Sequence, residues 1–89
     1  MSAKLFTIDD LKRTLREAAG VAEGVDLDAD ILDTEFDVIG YESLALLETG
    51  SLIEREYGIS LDEEAVGEAT TPRAFIEVVN AQLVPATAA

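Results

Sequence analysis

The sequence predicts an all-α fold: a small antiparallel helical bundle of three main helices plus one short helix, with a long first loop. Three observations lead there. Apolar residues recur at helical spacing in three separate stretches. Each stretch is bounded by residues that start or stop helices, such as Thr7, Gly20, Gly58 and the Thr71-Pro72 pair. An 89-residue chain that is 48% apolar can close one core and has little room for a second. A single domain over residues 1–89 is expected, with its core at about 5–84 and a fraying tail at 85–89.

The first helix is read over residues 8–19. Ile8, Leu11, Leu15 and Ala18/Ala19 share a face, while Asp9, Lys12, Arg13, Arg16 and Glu17 fall largely elsewhere. Thr7 stands at the N-cap, and Asp10, three residues on, makes a short-armed capping box. Gly20 ends the pattern. Between residues 20 and 42 the periodicity fails. A loop of that length is uncommon in a compact domain and is expected to be pinned to the core by Ile31, Leu32, Phe36, Val38 and Ile39. A single turn near residues 29–33 is compatible with it.

Helical spacing returns over residues 43–57, where Leu46, Gly50, Ile53 and Tyr57 share a face. Leu44 and Leu47 lie well around the cylinder from that stripe, beside Glu48, Ser51 and Arg55. Leu44 is therefore expected to be exposed, whereas Leu47 can also fold into the edge of the core. Gly50 costs about 1 kcal/mol against alanine and is either a close-approach site or simply tolerated. Gly58 reads as a left-handed C-cap. Ile59-Ser60-Leu61 is a short connector, and residues 62–67 have room for one or two helical turns. Thr71 then caps a last helix with Pro72 at its first position. Phe75, Ile76, Val79 and Leu83 are its buried face.

Composition narrows the function. Nineteen acidic residues against six basic ones give a formal charge of −13. That field repels nucleic acid and anionic membranes and attracts partners with basic patches, although solubility alone is a sufficient use for it. With no cysteine there is no disulfide framework, which fits a reducing compartment. No secretory signal and no transmembrane-length run is read, so a soluble, cytoplasmic monomer is expected.

Asp26, Asp28 and Asp30 open like a calcium loop, but the turn position is Ile31 instead of glycine and the closing ligand is Asp37 instead of glutamate. No metal site is expected. Neighbouring carboxylates are unavoidable at this acidity, and no pocket is expected to split their pKa values. A Gly-rich phosphate loop and nucleophile–histidine sets are absent, so the chain does not read as an enzyme.

Ser43 is different. At a helix start, serine is most economically an N-cap. With no thiol and no imidazole in the chain, its hydroxyl is also the one credible point for a covalent modification. An anion attached there would meet unpaired backbone N–H groups and the positive end of the helix dipole.

The run Phe36-Asp37-Val38-Ile39-Gly40-Tyr41-Glu42-Ser43-Leu44-Ala45-Leu46-Leu47-Glu48 resembles the modification region of acyl carrier proteins. The likeness is greatest to the stand-alone carriers of bacterial aromatic (type II) polyketide synthases, and it extends over residues 11–20, 36–58 and 71–83. The resemblance implies that Ser43 carries 4′-phosphopantetheine, taken from coenzyme A, whose thiol holds malonyl units and a growing poly-β-ketone as thioesters. It marks Glu42, Leu44, Leu47 and Glu48 as partner-recognition positions. Arg73 and Asn80, seven residues apart at the edge of the last helix's apolar face, are candidate contacts to the arm or cargo, with an ordinary amphipathic boundary as the alternative. Glu42 departs from the family's aspartate before the serine. The partners implied are a phosphopantetheinyl transferase, a malonyl-CoA:carrier acyltransferase, a ketosynthase/chain-length factor, a ketoreductase and cyclases. A fatty-acid or peptidyl carrier is the rival within the class. A non-carrier acidic helical interaction domain, with Ser43 a mere cap, is the rival outside it.

Overall fold

A computed structural model describes residues 5–20 and 30–83. Within them the chain forms α1 (Ile8–Ala19), α2 (Phe36–Ile39), α3 (Ser43–Tyr57), α4 (Glu63–Glu68) and α5 (Pro72–Leu83). Three longer helices match the sequence expectation, and α4 is the expected short one. The additional α2 lies inside the stretch read as loop.

The start of α1 follows from local chemistry. Asp10 N–H donates to Thr7 Oγ1 at 3.3 Å, and Thr7 N–H donates back to Asp10 Oδ2 at 3.0 Å, so two otherwise unpaired donors satisfy each other's residues. Gly20 closes the helix at φ 76°, donating its N–H to the Arg16 carbonyl at 3.1 Å. Leu11 and Leu15 are fully buried, and the helix packs principally on α3. On the outer edge of that interface the Arg13 guanidinium donates to both Glu56 oxygens, at 2.9 and 3.2 Å, and to Tyr57 Oη at 3.3 Å. An exposed fork of this kind contributes little stability, on the order of 1 kcal/mol or less, and bridges α1 to the end of α3.

The core joins Phe6, Leu11, Leu15, Ile53, Phe75 and Val79 with Phe36, Ile39, Leu46 and Val66. Phe6 meets Tyr57 edge-on at 5.5 Å, and Phe36 meets Phe75 edge-on at 6.0 Å. Phe6 is held from the far end of the chain. Its N–H donates to Asn80 Oδ1 at 2.7 Å, and Asn80 Nδ2 donates to the Phe6 carbonyl at 3.1 Å. On the α5 face Phe75 and Val79 are buried, with Ile76 and Leu83 at the margin.

The later half of the first loop is strapped to the α4–α5 junction. Phe36 N–H donates to the Thr70 carbonyl at 2.8 Å, and Arg73 N–H donates to the Leu32 carbonyl at 2.9 Å. The Arg73 guanidinium grips Asp33 through two bonds of 2.7 and 3.0 Å. The turn expected near residues 29–33 falls slightly later, closed by Thr34 N–H on the Ile31 carbonyl at 3.0 Å. Ile31, Phe36 and Ile39 pin the loop as expected, and Leu32 is half-buried. Val38 does not. It is 74% exposed, because the turn of α2 puts residues three apart on one side and sends Val38 to the other.

Gly50 is not a close-approach site. A Cβ built there would meet Leu61 Cδ1 at 3.7 Å and Val66 Cγ2 at 4.0 Å, both ordinary contacts. Gly50→Ala should therefore raise the unfolding free energy by about 0.5–1 kcal/mol, read as a higher denaturant midpoint at unchanged slope.

The Arg73 fork predicts a pH dependence. Arg73 hydrogen-bonds Asp33 and holds its carboxyl below the usual carboxylate range. A depressed folded-state pKa means the contribution is complete above the unfolded value, near 4, and is lost as pH falls through the folded one. Wild type should thus melt above Asp33→Asn at pH 7, with the gap closing as pH falls below the ordinary carboxylate range and narrowing in high salt.

Candidate functional site

Ser43 is the first residue of α3, and it is exposed. This corrects its reading as the N-cap. Glu42 occupies that position, with φ −100° and ψ 178°, and its side chain makes no capping hydrogen bond. Capping favours short side chains whose oxygen lies beside the N–H groups of the second and third helical residues, and the extra methylene of glutamate does not suit that reach. Glu42 serves the helix through its carbonyl, which accepts from Leu46 N–H at 3.2 Å. No acidic side chain stands in the first turn of α3. The positive end of this 15-residue helix is left open beside the serine hydroxyl.

The approach to Ser43 is built from α2. Gly40 turns the chain at φ 104°, a left-handed conformation that favours glycine, and its N–H donates to the Phe36 carbonyl at 2.9 Å. Tyr41 N–H donates to the same carbonyl at 2.9 Å. The Tyr41 ring turns inward, and its hydroxyl donates to the Gly20 carbonyl at 2.8 Å. Burial raises the Tyr41 phenol above its ordinary pKa, against a smaller opposing pull from Arg16.

A cleft of about 160 Å³ opens beside the serine. Phe36, Asp37, Tyr41, Ser43 and Leu46 line one side, and Gly67, Ala69 and Thr70 from α4 and its exit line the other. A second cleft of about 100 Å³ separates α3 from α4, between Leu47, Gly50 and Glu54 and the facing Leu61 and Val66. Glu54 fixes the wall of this cleft by accepting Leu61 N–H at 2.7 Å.

The other sequence-nominated residues divide into two groups. Leu44 is 62% exposed, and Glu42 and Glu48 are exposed with it on the α3 end that carries Ser43. Leu47 is 38% exposed and lines the second cleft, so it belongs partly to each alternative raised for it. Glu48 lines a shallow groove with Glu17 and Arg55. Arg73 and Asn80 are engaged elsewhere, the one with Asp33 and the other with the Phe6 backbone, and neither lines the cleft beside Ser43.

Two features of the site went unread in the sequence. Val38 was assigned to the core and instead stands out on α2. Tyr41 was not singled out, and the clue available was a large aromatic lodged between a turn glycine and a charged residue. Asp26 and Asp28 lie outside the described residues. Among the described residues no group of three or more carboxylates could hold a metal ion, and no helix is long and apolar enough to cross a membrane.

Comparison with known proteins supplies a context for this geometry. Residues 9–79 match a family described as the phosphopantetheine attachment site. The oxytetracycline polyketide synthase acyl carrier protein of Streptomyces rimosus is 53% identical over 83 residues, covering 93% of this chain and 87% of that one. The monensin polyketide synthase acyl carrier protein of Streptomyces virginiae is 56% identical across the whole of both chains. Among solved structures, the 3,7-dioxo-octyl actinorhodin acyl carrier protein of Streptomyces coelicolor superposes with a TM-score of 0.85. It is 45% identical, with 99% of this chain and 100% of that one covered. The actinorhodin holo acyl carrier protein from S. coelicolor matches at 0.77 and 45% identity, over 92% of this chain and 95% of that one.

The open N-terminus of α3 yields a prediction. Glu42→Asp places a carboxylate of capping length at the N-cap and should stabilise the chain by about 0.5–1 kcal/mol in thermal or denaturant unfolding. An unchanged midpoint would mean that the Glu42 backbone cannot offer a side chain to the first turn.

Proposed function

The chain belongs to the phosphopantetheine attachment-site family, and we propose that it is the acyl carrier of a type II polyketide synthase, with Ser43 as the attachment point. The observation that carries this assignment is an exposed serine hydroxyl on the first residue of a 15-residue helix whose N-cap side chain makes no bond to it. A phosphodiester on Ser43 Oγ would stand where the first-turn N–H groups and the helix dipole favour an anion by about 0.3–1 kcal/mol. No carboxylate of the first turn competes for that place. The residues present therefore fit the prosthetic group.

When bound, 4′-phosphopantetheine supplies the thiol that a cysteine-free chain lacks, and malonyl units and poly-β-ketone chains are held on it as thioesters. The protein's own part is presentation. Ser43 provides the nucleophilic oxygen, which loses its proton, bonds the phosphorus of the arm and displaces adenosine 3′,5′-bisphosphate from the pyrophosphate of coenzyme A. Leu44 offers an apolar contact on the exposed first turn, and Leu47 extends it towards the α3–α4 cleft. Glu42 and Glu48 surround these side chains with negative charge. The chain's −13 adds a long-range field that draws in basic docking surfaces quickly without holding them tightly. Fast exchange suits a carrier that visits many enzymes in turn.

The partners are the enzymes of a polyketide synthase. The set that fits this reading comprises a phosphopantetheinyl transferase, a malonyl-CoA:carrier acyltransferase, a ketosynthase/chain-length factor, a ketoreductase and cyclases. The relatives named above are polyketide carriers, which favours this cargo over fatty acyl or peptidyl groups.

Intact mass spectrometry tests the assignment. Incubation with coenzyme A and a broad-specificity phosphopantetheinyl transferase should add one phosphopantetheine to the wild-type chain and none to Ser43→Ala. A wild-type chain that stays unmodified beside a competent control carrier would reject it.

A further inference from the structure

We propose that Tyr41 is the positioning residue for Ser43, its phenol hydrogen bond to Gly20 fixing the direction in which the serine hydroxyl is presented. The inference rests on the reading of Ser43 as the attachment point.

Only Tyr41 and Glu42 separate the left-handed turn at Gly40 from the first residue of α3. Glu42 is exposed and its side chain makes no capping bond, so it does not hold the junction through that group. Tyr41 engages three ways. Its N–H is bonded to the Phe36 carbonyl at 2.9 Å, the residue as a whole is only 4% exposed, and its hydroxyl reaches the Gly20 carbonyl at 2.8 Å. Gly20 is itself fixed as the C-cap of α1. One residue therefore ties the end of α1, through its side chain, to α2, through its backbone, two residues before the serine.

A phenyl ring would fill the same space. The hydroxyl adds direction, because a buried phenol must find an acceptor and here one carbonyl supplies it. Rotation of residues 41–43 about the α3 axis would break that bond while leaving the apolar contact largely intact. Without it the serine stays on the surface but is offered over a wider range of orientations. Group transfer is sensitive to that range, since small errors in placing the nucleophile lower the rate of the bound complex more than its affinity.

Steady-state modification by coenzyme A and a phosphopantetheinyl transferase, with the full chain as the varied substrate, reads this out. For Tyr41→Phe, kcat should fall about tenfold while KM for the carrier stays within about twofold, because the docking face of α3 is untouched. Amide chemical shifts of residues 42–45 should move in the unmodified variant. Thr14→Val serves as the control for general loosening. It removes another buried hydroxyl, bonded to the Leu11 carbonyl at 2.9 Å, from a site in α1 away from the serine. Its kcat should match wild type. Equal slowing of both variants, a Tyr41→Phe chain with wild-type kcat, or a loss carried wholly by KM would each overturn the positioning role. Failure of the wild type itself to be modified would overturn the carrier assignment and this inference with it, and is distinguishable because no variant is then needed to see it.

Discussion

Phe36 is engaged through its ring, its N–H and its carbonyl at once, and the arrangement around Ser43 depends on that triple commitment. The ring packs edge-on against Phe75 of α5. The N–H is held by Thr70, and the carbonyl accepts from both Gly40 and Tyr41. A four-residue helix cannot stand on its own hydrogen bonds, because nucleation costs more than one turn returns. Here the neighbouring elements meet that cost, and α2 becomes a rigid step from which α3 can start at a fixed place. Removing the ring would leave a cavity under α2 and weaken the anchor of the step whose carbonyl holds Gly40 and Tyr41.

The electrostatic design is divided between the ends of the molecule's longest helix. At its C-terminus, Gly58 takes the left-handed conformation and donates to the Glu54 carbonyl at 2.9 Å, so that end is closed within the chain. At its N-terminus nothing comparable is spent by the side chain of the cap. Elsewhere among the described residues, every buried side-chain polar atom has a partner. Of the three long helices, α1 and α5 begin on side-chain caps, Thr7 and Thr71, whereas α3 does not, and its open end coincides with the serine.

Much of this was legible in the sequence because local chemistry decided it. The Thr7–Asp10 capping box, the stop at Gly20, the Gly58 cap and the Thr71-Pro72 start each depend on residues within a turn of one another. The exposed Leu44 followed from its angle on the helix. The failures share a different character. Val38 and the place of α2 were set by Phe75 and Thr70, more than thirty residues away in the sequence. Ser43 was read as the cap because serine is the better capping residue, whereas the chain enters α3 one residue earlier. Arg73 and Asn80 read from spacing as candidate contacts to the arm or cargo, whereas their partners, Asp33 and Phe6, lie 40 and 74 positions distant. Spacing along a helix can nominate a face, but it does not say which distant backbone claims a side chain.

The two bonds between Asn80 and the Phe6 backbone have a temporal consequence. They link positions 74 apart, so during synthesis Phe6 must wait for nearly all of the described chain before its amide and carbonyl meet that partner. Residues 6 to 80 enclose Ser43 and every helix except the last three residues of α5. An incomplete chain can therefore contain the serine and all of α3 while the closing clasp at Phe6 is still missing. The clasped state is one that only a chain reaching Asn80 can enter.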